Sequence, residues 1–537
     1  MATVAAPGQD GTDGASTPPS AKDIRLVISA SSLGTIFEWY DFFIYGTLAA
    51  SGIIGRTFFP AGSELMQSLL AWATFAVGFG FRPLGAVLFG WFGDRLGRKY
   101  TFLVTITLMG IATAGMGLIP SYAAIGVAAP ILVILLRILQ GLALGGEYGG
   151  AAIYVAEHAP GARRGFYTSF IQASVAGGFI LSLAVVLAAK AAMSAETWAD
   201  WGWRLPFIFS IALLAVSLWM RLKLSESPVF KAMKAAGETA RNPFVESFTY
   251  PGNIRRLFVA LFGIAAGLTV IWYTAMFTVL SFLQTTMRVE ETTAQLIVGV
   301  GVLAGVGWFI YFGHLSDRVG RRAPILIGYA LTLVLMFPIF WLMGAAANPE
   351  LARAAERAPV VVAGPHCSYD PFAAKQADEC GRLLDYFSKK GVAYTKVEAP
   401  NVAVSIGGAP ALDTSPAALD AQLGEAGYSL GKVRPSAGNI ALILLAIIAL
   451  SALSGLTYGP VAALLSELFP PRIRYSSMSI PYHIGAGYFG GFLPLISQYI
   501  VARTGDPYAG LWYTFAVVVI AFTVTLLFLR ERDLIKD

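Results

Sequence analysis

The chain has 537 residues, of which 56% are hydrophobic and 13% charged, and a net charge of +6; its mean hydropathy is +0.65. A soluble domain carries roughly 25% charged residues, so a soluble globular protein is excluded. The basic residues are spread over alternate loops and not gathered into one patch, which excludes a nucleic-acid partner.

Residues 1–22 are rich in Ala, Gly, Ser, Thr and Pro, with no apolar core and no basic start. They read as a disordered tail and not as a cleaved signal peptide. Twelve apolar runs follow, centred near residues 40, 80, 110, 136, 178, 213, 270, 304, 334, 452, 489 and 519. Each approaches the roughly 20 residues that cross a hydrocarbon core, and in lipid such runs must be helices. The predicted fold is an all-α membrane protein of twelve spans in two pseudo-symmetric six-helix bundles. The first bundle takes residues 23–225 and is followed by a linker over 226–252. The second takes 253–345 and 437–537, divided by a polar insert over 346–436. The Arg/Lys-bearing loops are cytoplasmic by the positive-inside rule, and an even number of spans puts both termini there.

The insert follows the ninth span and therefore lies on the outer, periplasmic side. Val360–Ala363 and Val392–Val397 read as strands flanking an amphipathic helix, Ala373–Lys390, closed by Gly391. A small βαβ-like cap is the expectation, with an unstructured loop as its alternative. Cys367 and Cys380 are the only two cysteines, and on an oxidising side of the membrane this spacing favours a disulfide. It would contribute about 2–3 kcal/mol to the cap. No metal site is expected, since only His366 stands nearby.

One phrase occurs in both halves: Gly90-Trp-Phe-Gly-Asp94-Arg95-Leu-Gly97-Arg98-Lys99, and, 223 residues later, Gly313-His-Leu-Ser-Asp317-Arg318-Val-Gly320-Arg321-Arg322. A second pair, Glu157…Arg164 and Glu467…Arg474, repeats at an offset of 310 residues. The first phrase resembles the cytoplasmic loop motif of the major facilitator superfamily. Further strings are Glu38-Trp39-Tyr40-Asp41-Phe42, Gly145-Gly146-Glu147-Tyr148-Gly149-Gly150, Phe81-Arg82-Pro83 and Trp201-Gly202-Trp203-Arg204. Together they resemble the metabolite:H⁺ symporter branch, which holds carriers for shikimate, α-ketoglutarate, citrate and proline/betaine. The resemblance covers nearly the whole chain except the tail and the insert.

That resemblance implies 3+3 inverted repeats and a site at the bundle interface near the midplane. The arginine contexts of the branch fall here on Arg82 and Arg204, as ligands for an anion or as architecture. Asp94 and Asp317 are expected to bond helix N-termini and pair with Arg98 and Arg321 when the cytoplasmic side is closed. With Gly90, Arg95, Gly97, Gly313, Arg318, Gly320, Glu157, Arg164, Glu467 and Arg474 they form the expected cytoplasmic gate.

Charges inside spans are expensive, and the first half holds Glu38, Asp41, Arg82 and Arg137 there. Glu38 and Asp41 are three residues apart on one helix, so they cannot both ionise cheaply in a low dielectric. They are the candidates for proton coupling, with a structural pairing to Arg137 as the alternative. Arg82, Arg137 and Arg204 offer forks that match a carboxylate. Tyr45, Gln140, Tyr273, Tyr458, Tyr482 and His483 are the remaining substrate-binding candidates; His483 also reads as an ordinary hydrogen-bonding residue. The expected function is proton-driven uptake of a small metabolite, an organic acid, by a monomer in a bacterial-type inner membrane, with no cofactor. An exporter of the same fold and a transport-inactive sensor are the alternatives.

Overall fold

The computed structural model describes residues 21–60, 62–96, 98–146, 148–222, 242–373 and 375–535. The expected tail up to residue 20, and the linker up to residue 241, lie outside the described residues.

Among the described residues, twelve long helices correspond to the apolar runs. They are α1 (Ala21–Ala50), α2 (Glu64–Phe89), α3 (Arg98–Leu118), α4 (Ala128–Gly145), α5 (Gly161–Ala191) and α6 (Gly202–Met220) in the first half. The second half holds α7 (Asn253–Thr286), α8 (Glu291–Val319), α9 (Arg322–Ala347), α10 (Ala437–Leu468), α11 (Pro471–Thr504) and α12 (Leu511–Phe528). Ten of these are long and apolar enough to cross a membrane. The other two are α1, diluted by Glu38, Asp41 and their aromatic neighbours, and α3, whose apolar part is Leu103–Leu118. Leu118, Ile131, Trp219, Leu303, Val334 and Leu445 are large, apolar and exposed. On a protein in water they would be a liability; in a bilayer they face lipid tails.

The bundles meet along two seams, α5 against α8 and α2 against α11. Within the first bundle α4 lies on α2 at backbone distance, because Gly141 and Gly145 have no side chain to hold them apart. A methyl group at Gly141 would overlap the Gly78 carbonyl, and one at Gly145 the Arg82 carbonyl. Small residues permit this approach in membranes, where packing and not hydrophobicity holds helices together. α7 and α11 are irregular: wide π turns occupy Val259–Ala265, Thr274–Thr278 and Phe282–Thr286 of α7 and Gly485–Gly491 of α11. Such turns cluster at functional sites because they redirect side chains.

The insert folds around its own core, which includes Leu351, Val360, Val362, Leu384, Phe387 and Leu423. Its four-stranded sheet has the order β2-β1-β3-β4. β1 (Val360–Gly364) and β2 (Tyr394–Glu398) run parallel, joined through the helix Glu379–Lys390. That helix starts six residues after the expected Ala373, because Asp378 supplies the N-cap and accepts from the Gly381 amide at 2.5 Å. Gly391 closes it in the left-handed region, as a helix end commonly requires. Cys367 and Cys380 are bonded to each other. β3 (Ala403–Ile406) and β4 (Ala409–Pro410) form a hairpin that sequence reading left out. Its turn, Gly407-Gly408, has positive φ at both residues, the geometry that suits a tight hairpin.

Candidate binding site and gate

Pro83 has no amide hydrogen to donate one turn back, so α2 is interrupted just before it. One helix ends at Gly80 and the next begins at Arg82. The break aims Arg82 into the middle of the protein, where it is wholly buried. Its guanidinium carbon lies 5.2 Å from the ring centre of Trp39, 5.3 Å from Phe79 and 6.0 Å from Tyr482. None of its three side-chain nitrogens has a hydrogen-bond partner among the described residues. Leaving one buried polar group unsatisfied costs about 1–3 kcal/mol, and more for a charged one. His483, next to Tyr482 on α11, is also wholly buried with neither ring nitrogen bonded among the described residues. The Tyr482 and Tyr458 hydroxyls are 2.8 Å apart, which joins α11 to α10. Tyr273 of α7 is buried, and its hydroxyl has no hydrogen-bond partner among the described residues.

Arg137 is equally buried, but both of its terminal nitrogens are engaged and only its Nε has no partner among the described residues. It donates to the Gln140 side chain at 2.6 Å, to the Phe75 carbonyl at 3.1 Å and to the Phe42 carbonyl at 3.4 Å. The rings of Phe42, Tyr45 and Phe75 surround it at 4.2, 4.7 and 5.1 Å. Gln140 continues the network to the Asp41 carbonyl at 3.1 Å and to Thr113 at 2.6 Å. Arg137 and Gln140 thus tie α1, α2, α3 and α4 together. Tyr45 stacks on Phe75 at 6.4 Å in the same region. Arg204 caps the end of α3, donating to the carbonyls of Gly117 at 3.0 Å and Ile119 at 2.5 Å. Glu38 and Asp41 are buried on the stretch of α1 that covers both arginines, Trp39 on one and Phe42 on the other.

Toward the insert, aromatic rings from both bundles close over Arg82. Phe43 stacks on Trp272 at 5.1 Å, Phe75 and Trp72 meet Phe277 at 5.4 and 5.9 Å, and Phe79 meets Tyr273 at 5.4 Å. One layer further, Ser68 of α2 donates to Gln498 of α11 at 3.1 Å, and Gln498 donates to Ser281 of α7 at 2.6 Å. Lys190 of α5 pairs with Glu291 of α8 at 2.9 Å.

On the opposite side, Asp317 at the end of α8 accepts from the amides of Gly165 and Phe166, both at 2.8 Å. These amides start the main helix of α5, an end whose free N–H groups and dipole favour an anion. Arg321 donates to Asp317 at 2.6 Å, to Ser316 at 2.8 Å and to Glu467 at 2.8 and 3.1 Å. Its pKa is raised: the Glu467 and Asp317 carboxylates outweigh burial, which by itself is the largest influence and lowers it. Arg164 approaches Glu467 at 3.6 Å. Gly313 is where α8 crosses α5; a methyl there would overlap the Ser169 side chain. Gly320 ends α8 at φ 89°, a left-handed turn that glycine adopts without strain. Arg318 is exposed. Arg164 and Arg474 hold equivalent places, donating to the carbonyls of Ala156 at 3.3 Å and Phe469 at 3.2 Å; Glu157 lies half-buried just before the first. Gly90, Asp94, Arg95, Gly97 and Arg98 of the first copy lie outside the residues whose side chains are described, as does Glu147.

The structure therefore brings Arg82, Tyr273, Tyr458, Tyr482 and His483 toward one centre, and puts Arg137, Gln140 and Arg204 to work on backbone carbonyls. Sequence reading did not pick out Phe79, Phe277 or the Ser68–Gln498–Ser281 chain. Trp39 lay in plain view inside the Glu38–Phe42 string, but only the crossing of α1 and α2 sets its ring on Arg82.

Comparison with known proteins fits this arrangement. Residues 26–247 match the Sugar (and other) transporter family. The chain is 39% identical over 322 residues to the shikimate transporter of Escherichia coli (strain K12), covering 59% of this chain and 72% of that one. It is 30% identical over 509 residues to the inner membrane metabolite transport protein YhjE of the same organism, covering 92% of each. It is 36% identical to the proline/betaine transporter of that organism over 328 residues, 60% of this chain and 65% of the other. The E. coli xylose transporter XylE, in a partially occluded inward open conformation, shares the fold with a TM-score of 0.61 at 15% identity. That match covers 94% of this chain and 98% of XylE.

Proposed function

The chain belongs to the major facilitator superfamily, in the branch of its metabolite transporters, and from that premise we propose proton-coupled uptake of a small organic acid by alternating access. It is a secondary transporter and not an enzyme, a multi-pass protein of the inner membrane. In our reading the Asp317 side is cytoplasmic, the insert is periplasmic, and one chain, which supplies both bundles and both closures, is the working unit.

The observation that carries the proposal is the wholly buried Arg82, whose three nitrogens hold no hydrogen bond among the described residues. A substrate carboxylate would meet them as a fork, making short charge-assisted bonds. Trp39, Phe79 and Tyr482 would flank a ring or small carbon body, and His483 and Tyr273 would bond its hydroxyls. The similarity to a shikimate transporter supports a carboxylated ring as the substrate class. An anion carried through a low-dielectric centre needs compensation. A proton on Glu38 or Asp41, which cannot both ionise cheaply side by side, supplies it. Asp317, Arg321 and Glu467 form the cytoplasmic closure, which the loaded carrier must break to release.

The test is uptake of labelled shikimate, as a first trial acid, into proteoliposomes. Uptake should rise as the outside pH falls and collapse with a protonophore. Uptake that ignores the protonophore and follows sodium would sink the proton assignment.

A further inference from the structure

A cavity of about 450 Å³ opens between the insert and the ends of α1, α2, α7 and α11. Its size suits a small metabolite. Its charged lining is Arg56, Arg288, Lys389 and Lys432 against the single carboxylate of Glu64. Lys389 is spoken for by Asp385 at 2.6 Å, which leaves three cations facing one acid. The floor is the Ser68–Gln498–Ser281 chain that joins the bundles. Arg82 lies fourteen residues further along α2 from Ser68, about 21 Å at 1.5 Å per residue.

Both halves of this cavity are built deliberately by the chain. The last stretch of the insert pairs with the α7–α8 connection: Val433 donates to the Arg288 carbonyl and accepts from Glu290, both at 2.9 Å. Arg434 and Glu290 clamp the same place with two short bonds at 2.5 and 2.6 Å. This ladder holds Arg288 at φ 58°, a left-handed conformation that a non-glycine residue adopts at a cost and that recurs at functional positions. Among the described residues Arg288 then donates one bond, to the Lys390 carbonyl at 3.1 Å, while its buried Nε has no partner. Lys432 reaches the Gln284 carbonyl at 2.8 Å. Burial lowers the pKa of both Arg288 and Lys432, and for Lys432 the nearby Arg288 adds to this. The cations thus crowd one another around an open space.

We propose that this vestibule is a second anion site, in which Arg56, Arg288 and Lys432 capture a small carboxylate beneath the insert before it passes to Arg82. The inference rests on the organic-acid reading above and assigns the insert a role in it. A cleft lined by one sign of charge raises the local concentration of its counter-ion and the rate of encounter. The Ser68–Gln498–Ser281 chain then separates a capture station from the transport site, and opening that chain hands the anion inward.

The test places an environment-sensitive fluorophore on Ser51→Cys at the cavity wall; both native cysteines are bonded to each other and do not react. Full-length protein in phosphatidylcholine nanodiscs, which offer no anionic headgroup, is titrated with shikimate, succinate and the uncharged succinamide. The two acids should give a saturable signal that survives Arg82→Gln and weakens at least tenfold in Arg56→Gln/Lys432→Gln, while succinamide gives none. Arg56 and Lys432 are exposed overall although the Lys432 ammonium is partly sheltered in the cavity, so folding of the double variant is checked by an unchanged melting curve. Loss of the signal in Arg82→Gln would assign it to the central site and overturn the vestibule. A signal undiminished in the charge-neutral pair would overturn it as well. Protonophore-insensitive uptake would remove the symport reading and leave this titration untouched, so the two ideas fail separately.

Discussion

Arg82 and Arg137 are two guanidiniums of one bundle, both wholly buried, and both ringed by aromatic side chains. They differ in what their nitrogens touch. Arg137 donates to two backbone carbonyls and Gln140, and through Gln140 ties four helices. Arg82 has rings around it and no hydrogen bond among the described residues. Burial alone therefore does not identify a ligand-binding charge. The hydrogen-bond inventory does, because a buried donor kept without a partner is a standing cost that the fold had no reason to retain.

The largest effect should come from breaking the first of these regions. Arg137→Met leaves the Phe75 and Phe42 carbonyls and the Gln140 side chain without their donor, at about 1–3 kcal/mol each. The purified variant should melt far below the wild type or fail to accumulate. Arg82→Met should do the opposite in a melting experiment, matching or exceeding the wild type, since it removes a polar group that had no partner, and yet it should not transport. If both variants melt alike, the distinction between the two arginines is wrong.

Next comes Arg82→Lys, which keeps the charge and loses the planar fork. At roughly 1.5–3 kcal/mol for hydrogen bonds to a charged group, apparent affinity for the carried acid should fall about 10- to 100-fold. An unchanged affinity would move Arg82 into the structural class with Arg137. Asp41 straddles the comparison, with its carbonyl in the Arg137 network and its carboxylate on the helix that covers Arg82. Asp41→Asn leaves the carbonyl in place, so the protein should fold and still exchange substrate while no longer concentrating it. Concentrative uptake by that variant would clear Asp41 of the coupling role.

A smaller shift is expected at the closure. Asp317→Asn weakens the bonds to the start of α5 and to Arg321 without touching Arg82. About 1.4 kcal/mol, a tenfold change in the ratio of states, should make introduced cytoplasmic cysteines more reactive and outer ones less. Asp94→Asn should act in the same direction, and equilibrium binding should hardly change in either. Unaltered labelling in both would return these residues to folding or insertion. Least affected should be transport by the Cys367→Ser/Cys380→Ser variant, which should lose only protease resistance in the insert. Transport lost at normal expression would put the insert's own fold on the substrate path.

Much of this was legible in the chain. Apolar runs locate the spans, because lipid leaves the backbone no alternative to a helix. Gly391 marks the end of the insert helix, whereas Pro83, which interrupts α2 beside Arg82, was read only as part of a motif. The repeated Gly-x-x-x-Asp-Arg phrase points to Asp317 and Arg321. What the residues could not show is direction. Arg82, Arg137 and Arg204 look alike as letters, and all three were read as possible ligands for an anion. Their roles separate only where helices cross: Arg204 falls on the carbonyls that end α3, Arg137 on those of α1 and α2, and Arg82 on none among the described residues.

The sequence by itself determined the number of spans, the two-bundle plan, the place of the insert and the presence of charges too costly to be accidental in a membrane. Those properties follow from hydropathy, proline and glycine chemistry and charge, which act locally along the chain. Only the tertiary structure decided which buried arginine is left with open hydrogen-bonding capacity, which rings close above it, and that the insert roofs a cationic cavity over the bundles. Each depends on residues more than a hundred positions apart, such as Ser68 with Gln498 or Arg288 with Val433. Hydrogen bonds act over about 3 Å, so only the folded chain can say which of them are made.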